Sequence, residues 1–472
     1  MTLSGNPTAL LLNPPFGEIA IRDNYCSKIS QAAYINHPID LLIQSGYLDR
    51  AFDVHLVDAI VEKMDASACL DRIRRMAPEV VFSLAGNATW HQDQEFFIAL
   101  RQALPKSRLV LSGDVFLEDP ARSLRDMPEI DAISVDYTSN DILRFFQGET
   151  GPFKTLVCRN TSGDVPDFEI RRERSGEFRI PLPRHALFME RDYRYPFVKK
   201  RRFATVMTEF GCPFHCAFCV MGTLGCKRRP LSDVMEELRH LESMKIQDVF
   251  FLDQSFGSDP ARNMEFCETV HRELPNLQWV CFSRVDLMTR RILESMKAAG
   301  CHTIIFGVET AAPELLKRYR KGYSLDQVTE VFSLARELKI RTVATFLLGL
   351  PGETRESAFK TIEFARKLPC NFASLNVAVP RMGTDLRSWA LEKGYVDPSM
   401  RQFDQSGSQV VMRTEALSAG ELADLKRYAV RRLYLNPVSL VRILMSLRSW
   451  DEFLIQFREG LHLLTRYTRR SR

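Results

Sequence analysis

The 472-residue sequence predicts an α/β fold: a doubly wound, Rossmann-like unit, then a partial (β/α)6 TIM-like barrel, then a helical segment. Three observations carry this. Short apolar runs alternate with amphipathic stretches through residues 8–150, the pattern of strands and crossover helices in a parallel sheet. The same alternation resumes near residue 203 with six further runs. From about residue 415 the helical period continues without any strand-like run. The divisions expected are 1–150 for the first unit, 151–200 for a linker, 201–400 for the barrel and 401–472 for the helical part. A hydrophobic fraction of 45% with 26% charged residues excludes a disordered chain and a membrane bundle.

In the first unit, strands are expected at 9–12, 54–57, 80–84, 109–111 and 132–135. Helices are expected at 39–48, opened by Pro38, at 69–76 and at 93–104. Ligands of such sheets lie beyond the carboxyl ends of the strands, at the point where strand order reverses. The loops there carry Asn13, Ser83, Ser112 and Gly113. No G-x-G-x-x-G follows the first strand, which argues against a dinucleotide site. Residues 151–200 are broken by Gly151, Pro152, Gly163, Pro166, Gly176, Pro181 and Pro183, and read as a linker. Beyond it, strands are expected at 203–208, 248–252, 277–282, 303–308, 342–348 and 372–379. Helices lie between them, such as 232–244 with Ser232 as N-cap and 324–338. The active site of a barrel belongs at the C-terminal strand ends.

The N-terminal residues lack a basic lead and carry too short an apolar run for a signal peptide. No uncharged stretch reaches the roughly 18 apolar residues a spanning helix needs, so a cytoplasmic location is expected. The reducing conditions of that compartment keep thiols from forming stable disulfides. Eight of the eleven cysteines are scattered and read as packing residues. The other three, Cys212, Cys216 and Cys219, follow the first barrel strand with the spacing C-x3-C-x2-C. Three soft thiolates on one loop suit an iron–sulfur centre. Zinc is the alternative, with His215 or Cys226 as a fourth ligand.

This motif, with Phe218 before the last cysteine and a barrel strand ahead of it, resembles the signature of radical S-adenosylmethionine (SAM) enzymes. The resemblance implies a [4Fe-4S] cluster on the three cysteines with SAM on the fourth iron. One electron, from a donor such as flavodoxin or ferredoxin, would cleave SAM to methionine and a 5′-deoxyadenosyl radical. It places Phe218 near the adenine, Asp253 near the SAM amino end, Arg284 as partner of the SAM carboxylate, Glu309 on ribose or the amino group, and Gly349 in the adenine-contacting motif. Arg284 with Asp286 also reads as a local ion pair, and Gly349 with Pro351 and Gly352 as a turn. No residue is marked as an acid–base catalyst.

The doubly wound unit ahead of the barrel, with Asn13-Pro14-Pro15 and His37-Pro38-Ile39, resembles the cobalamin-binding subgroup of that superfamily. The resemblance implies cobalamin near Asn13, Ser83, Ser112 and Gly113. Asp53-Val54-His55-Leu56-Val57-Asp58 approaches the D-x-H-x-x-G motif of cobalt-ligating histidines, but lacks its glycine and falls inside a strand. His55 therefore reads as a sheet residue, and cobalamin is expected without a protein histidine on cobalt. Ser112-Gly113-Asp114 and Asp136-Tyr137-Thr138 stand where the subgroup often carries Gly-Gly and Gly-Glu. The activity implied is methyl transfer to an unactivated carbon of a small or lipid-like molecule. Radical rearrangement, cyclisation or ring contraction is the second reading, and a non-catalytic metal-binding scaffold the third. A methylthiotransferase would need further cluster cysteines, and only Cys26, Cys69 and Cys158 precede the motif.

Residues 421–472 hold eleven Lys/Arg and five Asp/Glu, a net of +6 that exceeds the whole chain's +5. The stretches 441–447 and 453–464 interleave apolar residues with Arg442, Arg448 and Arg458. A helix packed on the barrel is the first reading, and peripheral contact with an acidic membrane the second. No nucleic-acid module is recognised, and the two main units are nearly neutral.

Overall fold

The computed structural model describes residues 6–23, 26–170, 176–407 and 410–434, with 453, 454, 457, 458 and 460. They form two compact units that divide between residues 194 and 195, apart from short exchanged segments.

The first unit is built on a six-stranded sheet of β1 (Thr8–Asn13), β2 (Asp53–Asp58), β3 (Val80–Leu84), β4 (Arg108–Ser112), β5 (Ala132–Ser134) and β6 (Leu156–Cys158). Spatial order is β2-β1-β3-β4-β5-β6. The first five strands are parallel and β6 returns antiparallel. Past Thr8 and Arg108 at their starts, the central strands β1, β3 and β4 are buried, and they are apolar apart from Asn13, Ser83 and Ser112 near their carboxyl ends, as a sheet covered on both faces demands. Helices α1 (Ile39–Leu48), α2 (Ala66–Met76) and α3 (Trp90–Ala103) make the crossovers. Pro38 precedes α1, and the Asp65 carboxylate accepts from the Ala68 N–H to start α2. The order reverses between β1 and β3, which fixes the switch point at the carboxyl ends of those strands.

The stretch expected as a linker does not stand apart. Leu156-Val157-Cys158 extends the first sheet, and the helix His185–Met189 buries His185 and Phe188. Three apolar residues between breakers are too few to register as a period, but pairing with β5 makes them a strand.

The second unit carries β7 (Ala204–Val206), β8 (Asp248–Phe251), β9 (Gln278–Ser283), β10 (Cys301–Glu309), β11 (Arg341–Leu348) and β12 (Phe372–Val377). All pair in parallel and in sequence order, the arrangement of an open (β/α)6 barrel. Between successive strands lie α4 (Leu231–Ser243), α5 (Pro260–Glu273), α6 (Arg290–Ala298), α7 (Leu325–Glu337) and α8 (Arg355–Lys367). Asp259, Thr289, Ser324 and Thr354 cap the last four of these, the latter two as capping boxes. Ser232 does not cap α4. Pro230, with its fixed extended backbone, occupies that position, and the Ser232 hydroxyl donates to Asp233. Helix α9 (Ala419–Tyr434) buries Leu422, Leu425, Ala429 and Val430 within the second unit. The expected amphipathic stretch at 441–447, and all of 453–464 except the five residues named above, lie outside the described residues.

Candidate active site at the strand ends of the second unit

Strand β7 ends two residues earlier than its apolar run. Asp253, just past β8, accepts from the Thr208 N–H (2.7 Å), the Thr208 hydroxyl (2.6 Å) and the Glu209 N–H (3.0 Å), and so draws the chain off the sheet. Residues Glu209–Gly211 then pair antiparallel with Cys226–Arg228, and the Cys212 N–H donates to the Gly225 carbonyl at 2.9 Å. This closes the loop 212–225 at its base. Two glycines permit the closure. Gly211 has φ +82, and a Cβ there would lie 2.0 Å from the Gly225 oxygen. At Gly222 a Cβ would lie 2.2 Å from the Phe214 oxygen. Any side chain at either position would force the backbone apart.

The loop carries the three cysteines. The Cys219 N–H donates to the Cys216 carbonyl (3.0 Å), the Cys212 sulfur lies 3.3 Å from the Ser255 hydroxyl, and Arg284 Nη1 donates to the Cys216 sulfur at 3.5 Å. Burial, with the neighbouring Cys216 and Cys212, pushes the Cys219 thiol up to about 12, and burial raises Cys212 as well. Thiolates in such a place require a cationic centre to hold them. His215 is exposed, and Cys226 sits in the strand at the loop's base, opposite Gly211. Among the described residues no three His, Cys, Asp or Glu side chains converge as ligands of a single ion do. Three thiols on one loop fit an iron–sulfur cube, in which each binds a different iron.

The remaining strand ends gather around this loop. Asp253 is a buried anchor of the loop's start, and burial plus the Glu209 charge push its carboxyl up to about 7. Arg284, past β9, grips Asp286 through two bonds (3.0 and 2.8 Å) and lies 3.9 Å over the Phe214 ring. Strand β10 carries a bulge between Gly307 and Glu309, and Glu309 sits at φ +69, an uncommon conformation for a non-glycine residue. Its carboxylate meets the buried Lys321 at 3.0 Å, and Lys321 Nζ also lies 5.8 Å above the centre of the Phe218 ring. Phe218 packs into an apolar cluster with Ala312, Leu315, Tyr319 and Leu350. Gly349, at φ +82, ends β11 and donates its N–H to Glu353. Phe218 belongs to the cysteine loop, Arg284 bonds to it, Glu309 reaches it through Lys321, Gly349 adjoins it only through its neighbour Leu350, and Asp253 bonds the chain at its start. Ser255, Lys321, Tyr323 and Arg381, whose charge acts on Cys219, were not marked by the sequence.

Glu353 supplies a pH test. Burial pushes its carboxyl up to about 8 against the Gly349 N–H, and its second oxygen has no partner. With the folded pKa above the unfolded one, stability from this group falls as pH rises from about 4.5 to about 8. At roughly 1.4 kcal/mol per pKa unit the upper bound is about 5 kcal/mol. Glu353→Gln should match the wild type at pH 5 and exceed it at pH 8.5 in urea midpoint. Equal gains at both pH values would contradict the assignment.

In the first unit, Asn13, Ser83, Ser112 and Gly113 all lie at carboxyl ends of β1, β3 and β4. Asn13 donates to Asp58 (3.0 Å) and accepts from Arg22 (2.9 Å). Arg22 in turn forms a fully buried ion pair with Asp93 at 2.7 Å, and the Thr89 hydroxyl and the Gly86 N–H also donate to Asp93. Ser83 donates to the Leu12 carbonyl (3.1 Å) and Ser112 to Asp40 (3.0 Å). Gly113 presses on the Ala85 carbonyl, which a Cβ would meet at 1.9 Å. The Ser134 hydroxyl, at the end of β5, and the Gln44 side-chain oxygen of α1 are buried without a hydrogen-bond partner. Buried polar groups of this kind call for an acceptor or donor from elsewhere. His55 lies on the edge strand β2, 3.0 Å from Asp53, away from the loop after β1.

Comparison with known proteins agrees with this geometry. Residues 208–365 match the family model described as the Radical SAM superfamily. An uncharacterized methyltransferase of Pyrococcus horikoshii is 26% identical over 418 residues, covering 86% of this chain and 89% of that protein. The structure of TsrM, a radical SAM methyltransferase from Kitasatospora setae with tryptophan and a SAM analogue bound, superposes with a TM-score of 0.68 at 17% identity, covering 98% of this chain and 97% of that one. OxsB, a cobalamin-dependent SAM radical enzyme solved with aqua-cobalamin and SAM, gives 0.69 at 15% identity over 98% of this chain and 72% of its own. Residues 208–365 thus match a radical SAM domain, and the chain shares its fold with TsrM and OxsB.

Proposed function

We propose that this enzyme is a cobalamin-dependent radical SAM methyltransferase acting on an unactivated carbon of a small or lipid-like molecule. The observation that carries the reading is the closed loop with its three thiols at the end of the first strand of a six-stranded parallel sheet. The [4Fe-4S] cluster and SAM, when bound, supply radical hydrogen abstraction, and cobalamin supplies the methyl group. The chain's residues bind, orient and exclude water. Cys212, Cys216 and Cys219 hold the cluster. The half-buried Phe218, backed by Tyr319 and Leu350, offers an apolar wall for a purine. Glu309 and Lys321 place opposite charges side by side, which suits the amino and carboxylate groups of an amino acid. In the first unit, Asn13, Ser83, Ser112 and Gly113 border the cobalamin site, and Gln44 and Ser134 offer it unpaired polar atoms.

A one-electron donor such as flavodoxin or ferredoxin serves the cluster. Among the described residues no helix is long and apolar enough to cross a membrane. The decisive experiment is anaerobic purification with cobalamin supplied, followed by counts of iron, sulfide and cobalt and by product analysis. Four irons, one cobalt and S-adenosylhomocysteine formation are expected. Four irons without cobalt would remove methyl transfer and leave radical SAM chemistry standing. Cobalt and 5′-deoxyadenosine without S-adenosylhomocysteine would favour rearrangement or cyclisation.

A further inference from the structure

We infer that Arg284 sets the reduction potential of the cluster, its guanidinium donating to the Cys216 sulfur and so favouring the reduced state. The inference rests on the cluster assignment above.

The geometry is that of a fixed cation. Arg284 Nη1 lies 3.5 Å from the Cys216 sulfur, within reach of an N–H···S bond. Nε and Nη2 are clamped by the two Asp286 oxygens at 3.0 and 2.8 Å, and Nη2 also donates to the Lys321 carbonyl. The guanidinium carbon stands 3.9 Å over the ring of Phe214, which belongs to the cysteine loop itself. The side chain is almost wholly buried. Four of its five N–H donors are thus spent within the protein. The single Nη1 hydrogen left cannot make the two-pronged clasp expected of a SAM carboxylate partner.

A cation held here acts on the cluster for a simple reason. Reduction adds an electron to a site already made anionic by three thiolates. A buried positive charge and a hydrogen bond at a ligand sulfur stabilise that added charge, and hydrogen bonds to sulfur are a principal determinant of cluster potential. Burial keeps solvent from screening the effect. Asp286 offsets part of the charge, so the two residues work in opposite directions. Arginine suits the position better than lysine, because its planar fork can satisfy Asp286 and the sulfur together.

The test is a potentiometric titration of the reconstituted full chain without SAM, read by absorbance and electron paramagnetic resonance. Arg284→Gln should lower the equilibrium constant for reduction about tenfold, which is about 59 mV for one electron. Arg284→Lys should fall less, and Asp286→Asn should move the midpoint upward. An unmoved midpoint in Arg284→Gln carrying its full iron would overturn the inference. Should Arg284→Gln fail to retain iron, Asp286→Asn decides alone: an upward shift supports the role, while no shift or a downward one overturns it. Iron and sulfide counts keep the two claims separate. A wild-type chain without four irons defeats the cluster assignment, whereas full iron with unmoved midpoints defeats only the role of Arg284.

Discussion

Cys219→Ala should lose its iron after anaerobic reconstitution and show SAM cleavage no higher than background, while Cys226→Ala and His215→Ala should retain both. The contrast follows from position. Cys219 is enclosed near Cys212 and Cys216, and its thiol is pushed up to about 12, so a thiolate exists there only with metal bound. Cys226 is buried at the base of the loop, paired with Gly211 across the strand ladder, and acts as a small apolar residue. His215 faces outward from the same loop. Iron and sulfide per chain, with 5′-deoxyadenosine released under dithionite, measure the outcome. Full iron in Cys219→Ala would end the assignment, and lost iron in Cys226→Ala would move a ligand to the loop's base.

The second large effect belongs to the first unit. Arg22→Met should destabilise it by about 3–5 kcal/mol, because it leaves the Asp93 carboxylate buried without its counter-ion. Burial already raises the Asp93 pKa in spite of Arg22, and removing the arginine raises it further. A carboxyl whose folded pKa lies above its unfolded one costs stability as pH rises past about 4. The loss in Arg22→Met should therefore be larger at pH 8 than at pH 5 in urea unfolding. Arg22→Met with Asp93→Leu should recover most of it, since no charge then remains buried. A pH-independent loss would show that packing of the arginine stem, and not its charge, is what matters.

Most strands were legible because parallel sheets covered on both faces need continuous apolar runs, and 80–84 or 342–348 are such runs. What was hidden depends on distant partners. Nothing local marks the end of β7, because Asp253 lies 45 residues beyond Thr208 and takes its backbone. Arg284 and Asp286 are two residues apart, so their ion pair could be foreseen, but the bond to Cys216 spans 68 residues. Lys321 belongs to a run with Lys317, Arg318 and Arg320, all basic. Only packing shows that Lys321 turns inward to Glu309 while the other three stay exposed. The cysteines were readable because their chemistry is carried by spacing on one loop. In the first unit Asn13 and Ser112 could be placed at strand ends, but their ties to Asp58, Arg22 and Asp40 could not.

The bulge in β10 makes Gly307 and Glu309 a single unit of substitution. A Cβ at 307 would stand 2.4 Å from the Glu309 side-chain oxygen that holds Lys321. The penalty for alanine at 307 thus exists only while a long side chain folds back from 309. The two positions should be strongly non-additive in a double-mutant cycle. A sequence that keeps Glu309 folded back onto Lys321 is thereby held to glycine at 307.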